Sequence, residues 1–545
     1  MKKNKGLLFA FILVNALSVA GCGFQNTSSS GGTFIPSKPS QEEGKPQEEE
    51  NPKPIDNLIY DEYDHTYDDL EVSEFSGKKS SITYQDFAKN SYYGLSVCPS
   101  TGNPKLLVIP IWFTDSSDYI LYPDNVKDDI KTAFFGNEED TGWHSVSSYY
   151  DADSFGTVHL EGVVTPWYEC GYSSEHYYVD NDYRTESLLK KAIDWYKSYL
   201  DVDTLSSFDT DKDGYLDGVM MVYGAPDQAA LGNNDASNLW AYTSWTLSAS
   251  STFNPTVNAF FWSSYDFMYS KDAAISRSGS SYASGDTRHC NIDAHTFIHE
   301  MGHIFGLNDY YDYSGASSPA LSFSMQDENV GGHDPYSRYA LGWAKAYHPQ
   351  ETVKIHLKPM EEGGEVIALS SNANTFGTPF HNFLMIEFYS PNGLNKFDTD
   401  YALKNRNAGP DSYGIRLWHV DSRLYSTNTG GTTGLPSKGN VVHATSNSGG
   451  DRAVDLAGSS AYRQLTVIRK GYEFNTKDGG VYKDDRDEFS LTNDDLFGTG
   501  DYFTMGTYKN QFPLKEKLNT RIKLGWAIYF DEVNENGATI TCIKL

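Results

Sequence analysis

Basic residues are scarce in this 545-residue chain. Lysine and arginine number 43 against 73 aspartates and glutamates, which gives a formal net charge of −30 at pH 7. Binding to the phosphates of nucleic acid needs clustered lysine and arginine, so the composition argues against a nucleic-acid partner. A strongly acidic surface instead favours solubility and the binding of divalent cations.

Cysteine is also scarce, with 5 residues in the whole chain and no CxxC pair. This number excludes a small scaffold that is built on disulfides. The cysteines that follow Cys22 could still pair in an exported chain, but the sequence does not choose among the possible pairings. They are Cys98, Cys170, Cys290 and Cys542.

Long apolar runs are absent except near the amino terminus. The run from Leu7 to Ala16 follows three lysines and is too short to span a bilayer. It ends in VAGC, which resembles a bacterial lipoprotein signal. That resemblance implies that residues 1–22 are a signal peptide ending at a lipidated Cys22, and that the mature chain is an extracytoplasmic lipoprotein of the cell membrane. An ordinary cleaved signal would also export the protein.

The rest of the chain divides by composition. Residues 23–57 are rich in Ser, Gly, Pro and Glu and nearly lack apolar side chains, so they are predicted to form a disordered tether. Residues 58–104 are acidic and rich in tyrosine, and we interpret them as an N-terminal segment and candidate pro-region. The remaining length predicts more than one domain: strands and helices over 105–345, then a mostly β domain over 346–545.

Hydrophobic patterns place the main elements. A continuous apolar run predicts a buried strand over 105–113, and helical spacing predicts helices over 126–136 and 184–200. Residues 244–288 are rich in serine and glycine and give no assignment. Alternating apolar residues predict short strands in the carboxy-terminal part. Examples are 383–389, 414–420 and 538–545.

The stretch HEMGHIFGLND, residues 299–309, carries the most specific chemical pattern. Residues four apart share one face of a helix, so His299 and His303 can hold one metal ion with Glu300 beside it. Such an HExxH pair binds zinc in metallopeptidases, where the glutamate acts as general base. A zinc site that does chemistry takes three protein ligands and keeps one position open, so a third ligand is needed.

Three residues are candidates for that ligand. His295 lies one turn before the pair, but it is about 12 Å from His303 along a straight helix, which is too far for one ion. His333 is distant in sequence and stays a candidate. Asp309 is best placed, because Gly306 can end the helix with a positive φ and turn the chain back beneath the metal.

A second pattern, DTDKDGYLD at 209–217, places aspartates at alternate positions before Gly214. The spacing matches positions 1, 3, 5, 7 and 9 of a calcium loop, where position 7 offers a backbone carbonyl. Met220 stands at position 12, so the loop is not an EF-hand. The alternative is a solvated acidic turn. The predicted ligands of this structural calcium site are Asp209, Asp211, Asp213, Tyr215 and Asp217.

These motifs and the segments around them resemble the immune inhibitor A family of secreted bacterial metalloproteases. The resemblance covers residues 105–545 and includes SVSSYYDADSFGTVHLEGVVTPWY, FDTDKDGYLDGVMMVYG, SFSMQDENVGGHDPYSRYALGWAK and YGIRLWHVD. It implies a metzincin-like α/β (α+β) zinc protease domain, a mostly β C-terminal domain, Asp309 as the third ligand and Met325 as the Met-turn residue beneath the metal. Asn308 stands where the family usually has proline, and this departure removes no ligand.

The sequence therefore predicts a monomeric, membrane-anchored zinc endopeptidase of extracellular proteins or peptides, with one catalytic Zn²⁺ and at least one structural Ca²⁺. Glu300 would act as base and then as acid. Tyr336 and Tyr339 are candidate donors to the oxyanion of a tetrahedral intermediate, with a packing role as the alternative. Two other functions stay open: a catalytically silent surface adhesion or binding lipoprotein on the same fold, and a zinc hydrolase of a non-peptide substrate.

Overall fold

The computed structural model describes much of the chain from residue 72 onward. The predicted signal peptide with Cys22, the predicted tether and Cys290 lie outside the described residues. Within the described ranges, none of the helices has the length and apolar character that crossing a membrane requires. The described residues are 72–80, 98–141, 143–228, 232–233, 235–246, 248–269, 292–311, 319–321, 323–327, 329–370, 378–400, 409–422, 424–426, 441–443, 447, 463–471, 491–508, 511 and 524–545.

The described chain is a mixture of strands and helices. Its α-helices are α1 (Pro123–Phe135), α2 (Glu138–Thr141), α3 (Val146–Asp153), α4 (Arg184–Leu200), α5 (His295–Ile304), α6 (Pro335–Ala340) and α7 (Asn395–Asp400). The strands are β1 (Ser73–Glu74), β2 (Lys105–Trp112), β3 (Glu161–Val164), β4 (Tyr168–Glu169), β5 (Gly218–Tyr223), β6 (Tyr242–Trp245), β7 (Ala259–Ser264), β8 (Lys345–Tyr347), β9 (Val353–Leu357), β10 (Glu365–Leu369), β11 (Asn382–Tyr389), β12 (Gly414–Asp421), β13 (Leu424–Ser426), β14 (Val441–His443), β15 (Leu465–Ile468), β16 (Tyr502–Thr504), β17 (Trp526–Asn534) and β18 (Gly537–Lys544).

The first sheet, which we call the mixed sheet, has the strand order β3-β2-β5-β7-β6, and β4 also pairs with β2. The pairs that involve β2, and the pair β5 with β7, are parallel, whereas β6 runs antiparallel to β7. Parallel strands are normally covered on both faces. This is why β2 and β5 read in the sequence as continuous apolar runs.

Alternate residues of β2 and β5 enter different cores on the two faces of the mixed sheet. Leu107 and Val219 pack with the apolar stripe of α4 on one face. Leu106 and Met220 pack with α1 and α5 on the other face. The stripe of α4 that helical spacing predicts is buried at Leu188, Leu189, Ala192, Ile193 and Tyr196.

Two five-stranded sheets pack on each other in the carboxy-terminal part, and we call the pair the sandwich. Their strand orders are β15-β12-β11-β10-β8, the inner sheet, and β1-β9-β18-β17-β16, the outer sheet. A shared hydrophobic core lies between the facing sides. It includes Ile355, Ile367, Leu384, Ile386, Leu417, Trp526, Ile528 and Ile540.

The central strands of the inner sheet are buried on both faces. The second face of this sheet carries Phe383, Met385 and Trp418, which share one hydrophobic cluster with Phe297 and Met325 from the part of the chain that precedes the sandwich. Every residue of β11 and β12 is buried. The strands predicted over 383–389 and 414–420 are confirmed as β11 and β12, and both of their faces are covered.

Residues 72–80 belong to the sandwich. β1 pairs in parallel with β9, with Ser73 opposite Val353. Ser80 and Ala346 exchange two backbone hydrogen bonds, of 2.9 and 3.0 Å. This part of the predicted N-terminal segment therefore completes the edge of the outer sheet and bridges to β8. Its role as a pro-region stays a prediction.

A buried ion pair links α3 to α6. Asp153 Oδ1 accepts hydrogen bonds from Arg338 Nε and Nη2 at 3.0 and 2.7 Å, and Asp153 Oδ2 accepts one from His333 Nδ1 at 2.7 Å. Burial alone would raise the pKa of Asp153, but Arg338 and His333 outweigh it and hold this pKa well below its usual range. Glu361 of the sandwich lies 3.6 Å from the same guanidinium, so the charges also connect the two parts of the chain.

Replacing Asp153 by alanine should destabilise the protein strongly, because the Arg338 guanidinium stays buried without its carboxylate. Such a loss costs on the order of 3–5 kcal/mol of unfolding free energy. Urea denaturation at pH 7 measures it. The control is Asp124→Ala, which removes an exposed pair with Lys127 and should change little.

The same ion pair predicts that the free energy of unfolding depends on pH. Because the pKa of Asp153 is lowered in the folded protein, its stabilisation is present at neutral pH and is lost as the pH falls below about 4. The stability difference between the parent and Asp153→Ala should therefore shrink in acid. An Asp153→Ala protein that is as stable at pH 7 as the Asp124→Ala control would contradict this account of the ion pair.

Candidate metal centre

The helix α5 carries both histidines of the HExxH pattern. Its apolar side packs into the core beneath the mixed sheet. Gly306, with a φ of +98°, ends the helix: its N–H bonds to the carbonyl of His303 at 2.8 Å, and the Leu307 N–H bonds to the carbonyl of Gly302 at 3.1 Å. These two bonds form the turn that glycine favours after a helix, and they send the chain back toward the histidines.

The turn at Gly306 brings Asp309 to the two histidines. Asp309 Oδ1 lies 3.1 Å from His299 Nε2 and 3.2 Å from His303 Nε2. One ligand atom of each side chain lies within 4.8 Å of the others, which is compact enough for bonds of about 2 Å to a single ion. The structure thus brings together the three residues that the sequence proposes as ligands.

The second nitrogen of each imidazole ring is bound to a backbone carbonyl. His299 Nδ1 lies 2.7 Å from the carbonyl oxygen of Met325, and His303 Nδ1 lies 2.8 Å from that of Leu307. A carbonyl only accepts, so each Nδ1 carries a proton, and Nε2 is the nitrogen of each ring that a metal would bind. Both Nε2 atoms face Asp309 Oδ1, which is the arrangement that a bound metal needs.

The charged groups of the site strongly shift one another's pKa. Burial lowers the pKa of His303, but the Asp309 carboxylate outweighs burial and raises the pKa to about 9. Burial raises the pKa of Asp309, but His303 and His299 outweigh it and hold this pKa well below its usual range. A carboxylate that stays ionised between two imidazoles is a suitable oxygen ligand for a divalent cation.

Glu300 lies beside this group without belonging to it. Its side chain is 7% exposed, and its Oε2 accepts a hydrogen bond of 3.0 Å from the Thr243 hydroxyl on β6. The same hydroxyl lies 3.0 Å from the Glu300 carbonyl. Burial raises the pKa of Glu300, although the two histidines and Thr243 oppose the rise. A buried, oriented carboxylate of this kind can exchange a proton with a reactant.

Met325 lies fully buried in the core beside α5, and its carbonyl holds His299. Tyr336 and Tyr339 are fully buried on α6. The Tyr339 hydroxyl lies 3.0 Å from His348 Nε2 and 3.4 Å from the Ser80 hydroxyl. Both tyrosines thus occupy packing positions, and an oxyanion role for either stays a prediction.

The other two histidine candidates lie apart from the group. His295 Nε2 lies 2.6 Å from the carbonyl oxygen of Asn329. His333 is 1% exposed and binds Asp153 through Nδ1, while its Nε2 lies 3.2 Å from Gln326 Oε1. Among the described residues, Asp309 is therefore the residue that joins His299 and His303.

Gln326 is a residue of the site that the sequence did not reveal. Its side-chain amide is fully buried and lies between His333 and His303, with Nε2 3.3 Å from His303 Nδ1. A Cβ atom on Gly302 would lie 2.0 Å from Gln326 Oε1, so the amide fits only because residue 302 is glycine. A glycine in the middle of a helix is the signal that could have indicated this close approach.

The acidic loop 209–217 turns at Gly214, which has a φ of +93°, and leads into β5. Carboxylate oxygens of Asp209, Asp211 and Asp217 lie within 4.8 Å of one another. The loop thus brings together three of the four carboxylates that the sequence predicts as calcium ligands.

Asp213 and Tyr215, the other two predicted ligands, are bonded to each other. Asp213 Oδ1 accepts a hydrogen bond of 2.8 Å from Tyr215 N–H. Asp213 is not part of the carboxylate group. Its carboxylate stabilises the turn through this bond. The calcium-loop pattern assigns only the backbone carbonyl of Tyr215 as a ligand, and this bond leaves that carbonyl available.

Burial changes the acidity of two carboxylates in this loop. It raises the pKa of Asp217 to about 6, although the backbone N–H groups of Lys105 and Thr210 donate to this carboxylate at 2.7 and 2.9 Å. Burial also raises the pKa of Asp209. Asp209 Oδ1 is buried and accepts no hydrogen bond from the described residues. A cation would neutralise such a group and complete its coordination.

A comparison of the chain with models of known protein families finds no match, and no curated protein matches it. The family resemblance of the motifs is therefore a prediction. The geometry of α5, the Gly306 turn and the acidic loop is the basis on which a function can be proposed.

Proposed function

We propose that this chain is an exported zinc endopeptidase with a metzincin-like catalytic domain, anchored to the cell membrane through Cys22. The observation that carries the proposal is the convergence of His299, His303 and Asp309 with Glu300 beside them. The substrates would be extracellular proteins or peptides, and the chain would act as a monomer.

The donor set fits zinc in its chemistry. Two imidazole nitrogens and one carboxylate oxygen are ligands that zinc accepts, and three protein ligands leave a position for a reactant. The carbonyls of Met325 and Leu307 accept the Nδ1 protons of His299 and His303 and so keep Nε2 available. Such backbone partners orient metal-binding imidazoles and raise their basicity.

When bound, zinc would supply Lewis acidity for the scissile carbonyl and for the attacking water. Glu300 would take the proton of that water and later transfer it to the leaving amine. Two features support this role. Burial raises the pKa of Glu300 toward the working pH of a general base, and Thr243 holds one carboxylate oxygen, which leaves the other oxygen for the proton transfer.

We further propose that the loop 209–217 holds a structural calcium ion. Asp209, Asp211 and Asp217 would provide the carboxylates. The buried Oδ1 of Asp209, which accepts no hydrogen bond from the described residues, supports a cation at this place. Asp217 also accepts the Lys105 N–H at the start of β2 and directly precedes β5. A cation here would therefore stabilise the entry to two central strands and take no part in the reaction.

Replacing Glu300 by glutamine should leave zinc bound and the fold intact but lower peptide hydrolysis by about 100-fold or more, because general acid–base catalysis contributes at least that factor. The measurement is cleavage of mixed protein substrates by zinc-loaded protein, with Glu362→Gln on the surface as the matched control.

Two results would contradict the mechanism or the function. Full activity in Glu300→Gln would remove Glu300 from the reaction. A zinc-loaded parent that binds proteins without cleaving them would favour a surface adhesion protein, and one that cleaves only non-peptide bonds would favour a different hydrolase.

Replacing Asp309 by alanine should abolish stoichiometric zinc binding, because a ligand of the centre is lost. His333→Ala should retain zinc and lose stability, because His333 binds Asp153 instead of the centre. Elemental analysis after dialysis measures the zinc content of both variants. Loss of zinc in His333→Ala together with retention of zinc in Asp309→Ala would show that Asp309 is not the third ligand.

Calcium should raise the melting temperature of metal-stripped protein. Binding only to the folded state stabilises by about 2.7 kcal/mol at a hundredfold excess over the dissociation constant. Asp211→Asn should remove the rise with little damage to the fold, because Asp211 is the exposed member of the group. Asp194→Asn on α4, which is exposed, is the control. If calcium does not change the melting temperature of the parent protein, the loop is a solvated acidic turn and not a calcium site.

A further inference from the structure

The loop that carries Asp309 is held from two directions. On one side the Tyr310 N–H donates to the Gln326 carbonyl at 2.7 Å, next to the Met325 carbonyl that orients His299. On the other side the Tyr310 carbonyl accepts a hydrogen bond of 2.7 Å from Asn447 Nδ2. Tyr310, the residue that follows the third ligand, is thus bonded both to the turn beneath α5 and to Asn447, which is itself bonded to β15 of the sandwich.

Asn447 is fully buried, and both the nitrogen and the oxygen of its side-chain amide form hydrogen bonds. Besides Tyr310, its Nδ2 donates to the Leu465 carbonyl at 2.8 Å, and its Oδ1 accepts the Leu465 N–H at 2.9 Å. Both amide hydrogens therefore have acceptors. The Leu465 N–H also fixes the orientation of the amide, since a flipped amide would place a donor against this donor.

Two other contacts join the same loop region to β15 and to the residue that precedes it. Asn308 Nδ2 donates to Gln464 Oε1 at 3.3 Å, and Val467 N–H donates to the Pro319 carbonyl at 3.0 Å. Gln464 is 2% exposed. Buried bonds of this kind hold their partners in one arrangement, because breaking them would leave polar groups unpaired in a dry environment.

We propose that Asn447 is a positioning residue of the metal centre and that the sandwich, through Asn447, completes the site on α5. This inference rests on the proposed zinc function. Asn447 is not among the three residues that would hold the metal. It fixes the Tyr310 carbonyl, and with it the direction in which the Asp309 carboxylate meets His299 and His303.

Gln511 provides a matched control at the other end of β15. Its Oε1 accepts the Arg469 N–H at 2.8 Å and its Nε2 donates to the Arg469 carbonyl at 2.7 Å. This is the pair of bonds that Asn447 makes with Leu465, and the third bond, to Tyr310, belongs to Asn447. Replacing either amide should loosen β15, but only Asn447 should affect the metal centre.

The test compares the full-length parent with Asn447→Ala, Asn447→Asp and Gln511→Ala. Asn447→Asp keeps the acceptor for Leu465 but lacks the donors, and it covers the case in which the alanine variant does not fold. The readouts are the zinc dissociation constant in competition with a chromophoric chelator, the visible spectrum of the Co²⁺-loaded protein, and urea stability without metal.

Both Asn447 variants should raise the zinc dissociation constant by about 10–100-fold, the range expected for partners of metal ligands, and should change the Co²⁺ spectrum. Gln511→Ala should lower stability and leave both metal readouts unchanged. Asn447 variants that are destabilised but bind zinc with the parent affinity and spectrum would overturn the positioning role alone. A parent that takes up neither zinc nor cobalt would overturn the proposed function and this inference with it.

Discussion

The hydrogen bond from His299 Nδ1 to the Met325 carbonyl, 2.7 Å long, joins the segments on which the metal centre depends. It orients the ring so that Nε2 faces Asp309, and it holds the turn at Met325 against α5. The next carbonyl of that turn, on Gln326, accepts the Tyr310 N–H and so holds the loop that carries Asp309. Two consecutive carbonyls therefore keep a helix and a loop in register.

The sandwich keeps that turn in place. Met325 is fully buried in the same cluster as Met385 and Trp418 of the inner sheet, so the turn lies between α5 and the sandwich. Polar bonds in such a dry interior are electrostatically stronger than in water, and leaving one unmade is costly. The ion pair of Asp153 with Arg338, near Glu361, has the same effect at a second position. The two parts of the chain are thus joined by packing, buried charge and the Asn447 amide.

The features that could be predicted from the sequence have local signals. The strand expected over 105–113 is β2, and the helix expected over 184–200 is α4. The approach of Asp309 to the HExxH histidines could be predicted from Gly306, because a residue with positive φ can turn the chain back after the helix. That these residues bind zinc, and that the acidic loop binds calcium, stays a prediction.

The features that could not be predicted depend on distant partners. β7 lies within the serine-rich stretch 244–288 that gave no assignment, and it is a strand because β5 and β6 pair with it on both sides. The two-sided burial of β11 and β12 reflects packing against α5 and its neighbours, and the hydrophobic periodicity of a single strand does not indicate such packing. Asn447 reaches Tyr310 across 137 positions, and a single buried amide leaves no pattern in the sequence.

X-ray absorption at the zinc edge of the zinc-loaded, full-length protein tests the central claim most directly. If His299, His303 and Asp309 hold the ion, the spectrum should fit two imidazole nitrogens at about 2.0–2.1 Å and oxygen ligands at about 2.0–2.2 Å, without sulfur. Sulfur neighbours at about 2.3 Å, or a shell without imidazole scattering, would contradict it.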